Sequence, residues 1–104
     1  MTTVCGGLPT EGSYFCFTIR EEILNCCGLV SIEDIEIGLN GETLFREAFK
    51  LYHETYDDKC WICTLVNLHY IKIFKTLGFK TVRKFTNPAS GNIVHIMCLL
   101  PEIE

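Results

Sequence analysis

Two cysteines three residues apart, Cys60 and Cys63, form the pattern in this sequence that most directly suggests chemistry. A Cys-x-x-Cys pair is typical of thioredoxin-type dithiol redox sites. That chemistry places the first cysteine at the start of a helix, where its thiolate is stabilised. Here the pair lies in the apolar run 60–66, which predicts a strand buried on both faces. Residues i and i+3 of a strand point to opposite faces, so the pattern favours buried structural cysteines over a disulfide or a shared metal site.

A zinc site would need a second pair of ligands. The other close pair, Cys26 and Cys27, is adjacent in the chain and poorly spaced for that purpose. The sequence therefore predicts no metal site.

Composition limits the classes of protein to which this chain can belong. Its 104 residues, 48% of them apolar and 21% charged, predict a single packed domain over residues 1–104. The net charge is −4 and the nine cations are spread along the chain, which disfavours a nucleic-acid partner. No apolar run is long enough for a membrane span, and no signal peptide is evident. With seven cysteines, an odd number, we expect a cytoplasmic protein with reduced and mostly buried thiols.

Periodicity and turn residues predict the secondary structure. The opening, residues 1–19, suits two short strands in a hairpin, and residues 20–31 are ambiguous, with a helical turn at 20–24 ended by Gly28 as one interpretation. Alternation of Ile35, Ile37 and Leu39 with polar residues predicts a strand over 32–39. Strands are also predicted over 60–66, 80–86 and 92–100.

Two helices are predicted between these strands. The first covers about 42–56, and the second about 68–77, ended by Gly78. The residues expected to face the sheet are Leu44, Ala48, Leu51, Tyr52 and Thr55 in the first helix, and Leu68, Ile71, Phe74 and Leu77 in the second. A strand–helix–strand unit implies a parallel strand pair, and the last two strands form an antiparallel hairpin. The fold class is therefore α/β, with a single mixed sheet and two main helices.

The segment from Asn67 to Phe79 resembles the GCN5-related acetyltransferases. In that family an Asn after the fifth strand is followed by apolar residues at fixed spacings and then by Leu-Gly-Phe. Here Asn67 is followed by Tyr70, Ile71, Ile73 and Phe74, and then by residues 77–79, which read Leu-Gly-Phe. The resemblance implies a truncated acyl-CoA N-acyltransferase fold that lacks the family's N-terminal strand and helices.

The resemblance also implies where a cofactor would bind. The family's pyrophosphate loop lies between a strand and the start of a helix, whose free N–H groups hold the phosphates of acetyl-CoA. The equivalent segment begins at Gly38, where the family has Gln or Arg, and its central Gly41 matches the motif. The implied cofactor-binding residues are Leu39, Asn40, Gly41, Glu42, Thr43, Asn67 and Phe74.

Catalytic roles follow from the resemblance in the same way. Many family members have a Tyr seven residues beyond the Asn as the acid for the departing thiolate, whereas this chain has Phe74. Tyr70, one turn earlier, is the candidate substitute, and a packed core tyrosine is its alternative interpretation. The resemblance implies a base at Glu33, Asp34 or Glu36, and Glu36 is the candidate. Solvated carboxylates on an exposed face are the alternative.

Three short blocks are similar to the acetyltransferase-like virion-assembly proteins of short-tailed bacteriophages. They are residues 14–18, 46–51 and 75–78, together with the Trp61 strand. This resemblance implies a non-catalytic protein that acts through contacts with a phage or host protein, in the host cytoplasm or the virion, and that requires no cofactor. An active acetyl-CoA-dependent N-acetyltransferase is the alternative. An exposed edge strand also predicts a homodimer.

Overall fold

The structure is a computed structural model that describes residues 1–24 and 27–101. It contains one six-stranded mixed sheet with the strand order β1-β2-β3-β4-β6-β5. The strands are β1 (Thr2–Leu8), β2 (Ser13–Leu24), β3 (Cys27–Ile37), β4 (Cys60–Leu65), β5 (Lys80–Thr86) and β6 (Ile93–Leu99). The helices are α1 (Glu42–Thr55) and α2 (Leu68–Thr76), and a 3-10 turn, Pro9–Glu11, joins β1 to β2. The predicted fold class is confirmed.

The sheet combines one parallel strand pair with four antiparallel pairs. Strand β3 runs parallel to β4, and α1 crosses between them. All other neighbours are antiparallel. The predicted strand–helix–strand unit and the final hairpin are therefore both present.

The core lies between the sheet and the two helices. From α1, Phe45 contacts Phe17 of β2 and Phe74 of α2, each with a ring-centroid distance of 5.5 Å. Trp61 of β4 is fully buried and donates its indole N–H to the backbone oxygen of Tyr56 at 3.2 Å. Because both helices contact the same aromatic cluster, they cover the same face of the sheet.

The predicted inward face of α1 is wrong at Leu44, Leu51 and Thr55, all of which are exposed. Leu44 is 37% exposed and Leu51 is 67% exposed, whereas Phe45 and Phe49 are buried. The helix is rotated because its two phenylalanines bury more apolar surface against the sheet than the leucines would. In α2, Ile71 and Phe74 are buried as predicted.

Three further expectations about local structure are corrected. Residues 20–24 belong to β2 and do not form a helical turn, and residues 25–26 lie outside the described part of the chain. Leu68, at the first position of α2, is 72% exposed. Strand β3 ends at Ile37, so Leu39 is 90% exposed instead of facing the core.

The cysteines are not all reduced and buried as expected. Cys5 of β1 and Cys16 of β2 are directly opposite each other and form a disulfide between the two strands. Cys63 is buried in the core as predicted, and Cys60 and Cys98 are half-buried. Among the described residues, neither helix is long and apolar enough to cross a membrane.

Candidate functional site

The two parallel strands separate before either of them ends. Pairing of β3 with β4 covers only Leu29–Ile32 against Cys60–Cys63, although β3 continues to Ile37 and β4 to Leu65. Asp34 lies just beyond the last pair and has a φ of 52°. The pairing of β2 with β3 also shifts register here, which is the signature of a β-bulge. The bulge turns β3 away from β4 and opens a gap between them.

A cavity of about 510 Å³ lies beside this gap, on the sheet face that the helices leave uncovered. Its walls carry the carboxylates of Glu22, Glu33 and Asp34, with Ser31 and Thr64 as uncharged polar groups. No cation is among its lining residues. An anionic ligand would therefore meet carboxylates in this cavity, which are offset only in part by the ion pairs that Arg20 forms with Glu22 and Glu33.

Tyr70 lies at the same end of β3, on the helix side. Its hydroxyl accepts a hydrogen bond from the Ile37 N–H at 3.0 Å and donates one to the Ile37 carbonyl oxygen at 3.3 Å. These two bonds occupy the backbone groups of Ile37 that neither neighbouring strand uses. The predicted acid is therefore a half-buried hydroxyl that holds α2 to the end of β3.

Asn67 positions Tyr70 by starting α2. Its side-chain oxygen accepts hydrogen bonds from the N–H groups of His69 at 2.8 Å and Tyr70 at 3.3 Å. This is the ordinary role of an Asn at a helix N-cap, where it satisfies donors that have no partner within the helix. Asn67, which the resemblance assigned to the cofactor, has a structural role here.

Phe74 lies in the middle of the core. Its side chain is fully buried, and its ring centroid is 5.1 Å from that of Phe79. The assignment of Phe74 to cofactor binding does not fit this burial, since its ring has no surface left for a ligand. It also carries no proton to donate.

Glu36 does not contact the same residues as Tyr70. Its side chain lines a separate cavity of about 590 Å³ together with Cys5 and Tyr14, on the uncovered face. The Tyr14 hydroxyl donates to the Glu36 carboxylate at 2.9 Å. This hydrogen bond to an anion is the main reason that the pKa of Tyr14 is raised, because ionised Tyr14 would lose it. The structure does not bring Glu36 and Tyr70 into one cavity.

The predicted pyrophosphate loop uses its own N–H groups internally. Gly38 donates to the Tyr14 carbonyl at 2.9 Å, Asn40 to the Gly12 carbonyl at 3.0 Å, and Gly41 to the Gly38 carbonyl at 2.9 Å. A Cβ on Gly38 would lie 2.1 Å from the Gly12 oxygen, and one on Gly41 would lie 2.0 Å from the Tyr14 oxygen. The glycines are therefore explained by the close approach of residues 12–14 to the loop.

The start of α1 remains available to solvent but carries negative charge. No side chain caps this helix terminus. Glu42 forms an ion pair with Arg46 at 3.7 Å, one turn along the helix. Thr43 and Leu39 are exposed. The residues present at this terminus do not fit a pyrophosphate well, since the positive end of the helix is already neutralised in part by a carboxylate.

The Cys60–Cys63 pair is divided between the two faces of the sheet. Cys63 is 2% exposed on the helix side, and burial raises its pKa to about 12. The Cys60 thiol lies 2.9 Å from that of Cys98 on the uncovered face. The predicted opposite orientation of Cys60 and Cys63 is confirmed. Within the described ranges, no three His, Cys, Asp or Glu side chains gather as metal ligands.

Sequence reasoning missed the bulge that opens the gap, although a signal for it was present. Buried Val30 and Ile32 alternate with a period of two, and the next apolar residues are Ile35 and Ile37. The step of three between Ile32 and Ile35 breaks that period. One extra residue in a strand is what a β-bulge inserts, so this step marks Asp34.

Comparison with solved structures shows similarity to two acetyltransferases. A chain of the NatC complex bound to Gag peptide and CoA superposes with a TM-score of 0.67 at 10% identity, over 85% of this chain and 61% of that chain. The aminoglycoside N(6′)-acetyltransferase from Legionella pneumophila subsp. pneumophila str. Philadelphia 1 superposes with a TM-score of 0.59 at 17% identity, over 83% of this chain and 54% of that chain. No family model and no curated protein matches the chain.

These similarities confirm the fold that the Asn67–Phe79 segment predicted. The chain spans less than two thirds of the length of either acetyltransferase chain that it matches. A shared fold does not carry activity with it, because activity depends on the side chains of the site.

Proposed function

We propose that this chain, which has an acetyltransferase fold, is not a catalyst and acts through contacts with other proteins. The observation that carries the proposal is the pair of hydrogen bonds between the Tyr70 hydroxyl and the backbone of Ile37. A general acid must reach the leaving group with its proton. Tyr70 instead uses its hydroxyl to join α2 to β3.

Three other features support the same conclusion. Phe74 is buried and has no proton to give. Glu36 shares no cavity with Tyr70 and is hydrogen bonded to Tyr14. Three N–H groups of the 38–41 segment are bonded within the protein. Because the residues do not fit acetyl-CoA, we derive no catalytic step through it.

The test is a calorimetric titration of the purified protein with acetyl-CoA, together with chromatographic detection of released coenzyme A in the presence of amine acceptors. We expect no binding heat at millimolar acetyl-CoA and no coenzyme A release above the protein-free rate. Micromolar binding accompanied by turnover would overturn the proposal.

An active acetyl-CoA-dependent N-acetyltransferase is the second candidate. It is favoured by the separation of β3 from β4 beyond Ile32 and by the uncapped start of α1. If phosphates bind at this helix start, Glu42→Lys should tighten acetyl-CoA binding by replacing a repulsive charge with an attractive one. Glu47→Lys makes the same charge change at an exposed position of the same helix and serves as the control.

The class of protein partner, phage or host, is indicated only by the resemblance to the bacteriophage proteins. A role in virion assembly or against a host factor, and a place in the host cytoplasm or the virion, therefore stay predictions. Selective association between this chain and a purified virion protein, with a defined stoichiometry, would support them.

A further inference from the structure

One face of the sheet has no cover within residues 1–24 and 27–101. Both helices pack on the opposite face, where alternate residues of β2 and β4, such as Phe17 and Trp61, are fully buried. The next residues along these strands point the other way. We call this second surface the open face, and define it by the side chains of Glu22, Leu29, Glu33, Glu36, Ile62, Thr64, Ile96, Cys98, Lys80 and Arg83.

The centre of the open face is apolar. Leu29, Ile62, Ile96 and Cys98 lie side by side across β3, β4 and β6, and each is only half-buried. Strand pairing places Ile62 opposite Cys98 and next to Ser31. Exposure of this apolar centre to water is unfavourable in free energy, and its burial against another surface would be favourable.

The two sides of the open face carry opposite charges. Glu22, Glu33 and Glu36 lie on the β2–β3 side. Arg20 partly offsets them, since it forms ion pairs with Glu22 at 3.9 Å and with Glu33 at 3.5 Å. On the β5 side lie Lys80 and Arg83, both exposed. Neither cation has a carboxylate within 4.0 Å in the described part of the chain.

The register of the strands makes this surface complementary to a second copy of itself. Four adjacent strands, β3, β4, β6 and β5, have their midpoint between β4 and β6. A two-fold axis parallel to the strands at that midpoint places β3 of one copy over β5 of the other, and β4 over β6. Packed sheets keep their strand directions within about 30° of each other, which this arrangement satisfies.

The charged residues then meet at the same level. Thr64 pairs with Ile96, and Ile96 pairs with Arg83. Glu33 lies one residue beyond Ile32, the last residue of β3 that pairs with β4. Continuing that register by one residue places Glu33 at the level of Thr64, and therefore of Arg83. After the two-fold rotation, Glu33 of each copy lies over Arg83 of the other. The apolar centres meet at Ile62 and Ile96.

We propose that two copies of this chain associate face to face through the open face, with a two-fold axis along the strands between β4 and β6. The contact is isologous, so each charge pair occurs twice. The dimer proposal rests on the proposed function, because both hold that this chain acts through protein contacts. The two proposals can nevertheless be tested separately. Turnover of acetyl-CoA would overturn the function alone, and a monomer in solution would overturn the dimer alone.

Charge complementarity selects a second copy as the occupant of this face. A uniformly acidic or basic partner would be attracted by one side of the face and repelled by the other. A copy rotated by two-fold symmetry presents acidic residues to basic ones on both sides. The alternative homodimer through the edge strand β1 would leave the apolar centre exposed, and it makes no use of Arg83.

The test compares single and double charge reversals by sedimentation velocity across a range of protein concentrations. We expect the natural chain to dimerise, and Arg83→Glu to raise the dimer dissociation constant at least about tenfold, since two attractive pairs become repulsive. The matched control is Lys84→Glu. Lys84 is the next residue of the same strand and pairs with His95, so it points to the opposite face and should leave the dimer intact.

The double variant Glu33→Arg with Arg83→Glu exchanges the two charges and should restore part of the lost association, since Arg20, which pairs with Glu33 at 3.5 Å, would repel the new arginine within its own chain. Circular dichroism melting of each variant establishes that it is folded. Sedimentation of the natural chain as a monomer at all concentrations overturns the proposal. So does a dimer that Arg83→Glu leaves unchanged, the outcome expected of pairing through β1.

Discussion

The hydroxyl of Tyr70 and the backbone of Ile37 form two hydrogen bonds, 3.0 Å from the N–H and 3.3 Å to the carbonyl oxygen. Ile37 is the last residue of β3 and is buried. Its polar backbone groups lie where β4 no longer pairs with β3. The hydroxyl therefore satisfies groups that the sheet has left without partners, whereas the sequence had suggested it as the acid for a departing thiolate.

Removal of this hydroxyl should destabilise the fold measurably. In Tyr70→Phe the Ile37 N–H is left buried without a partner, which typically costs about 1–3 kcal/mol. Urea denaturation at neutral pH measures the loss. Tyr14→Phe is the control, because Tyr14 donates to the exposed Glu36 carboxylate and water can replace it. Equal losses in the free energy of unfolding of the two variants would show that the bonds to Ile37 stabilise the fold no more than the exposed bond of Tyr14 does.

Much of the fold could be predicted from local patterns. The segment from Asn67 to Phe79 correctly predicted α2 and the turn after it. Its apolar spacing and its N-capping Asn are both local features of a single helix, so no distant contact is needed to interpret them. The face of α1 could not be assigned in the same way. Leu44 and Phe45 both belong to plausible apolar stripes, and only contact with Phe17 and Phe74 decides between them.

The candidate site was less predictable than the fold, because its character depends on contacts between distant segments. Nothing near Gly41 in the sequence indicates that the backbone of Tyr14 lies against it. The glycine therefore suggested a phosphate loop. The alternation along β3 already placed Glu36 on the side away from Ile37, but only the contact between α2 and β3 shows that the Tyr70 hydroxyl is bonded to the Ile37 backbone.

Gly41→Ala should be strongly destabilising without any ligand present. The added Cβ would lie 2.0 Å from the backbone oxygen of Tyr14, which cannot move without displacing the start of β2. Overpacking of this kind costs about 1–3 kcal/mol and occasionally more. Gly28→Ala is the control, since the atoms nearest to its Cβ belong to the flexible side chain of Lys59, at 3.2 Å. Thermal melting of both variants distinguishes them, and an unperturbed Gly41→Ala would argue that the loop and β2 are not in contact.

Phe74→Tyr should not create activity, although it restores the residue type that many acetyltransferases have at this position. Phe74 is fully buried against Phe45 and Phe79, so a new hydroxyl would be removed from water into an aromatic environment. We expect a loss of about 1–3 kcal/mol in the free energy of unfolding and no coenzyme A release. Phe85→Tyr, at a position that is 45% exposed, should be nearly neutral. A gain of turnover in Phe74→Tyr would show that this side chain reaches a substrate.

Alkaline pH should destabilise the protein partly through Cys63. Burial raises the pKa of its thiol from 9.0 to about 12. Below pH 9 the thiol is protonated in both the folded and the unfolded chain, so it has no effect on stability. Between pH 9 and pH 12 the unfolded chain loses this proton while the folded chain keeps it. The free energy of unfolding therefore falls as pH rises, by at most about 1.4 kcal/mol per pH unit for this group. Urea denaturation of the natural chain and of Cys63→Ala between pH 8 and pH 10.5 should give a shallower decline in the variant, whatever its absolute stability. Parallel declines would mean that Cys63 ionises as readily in the folded chain as in the unfolded one.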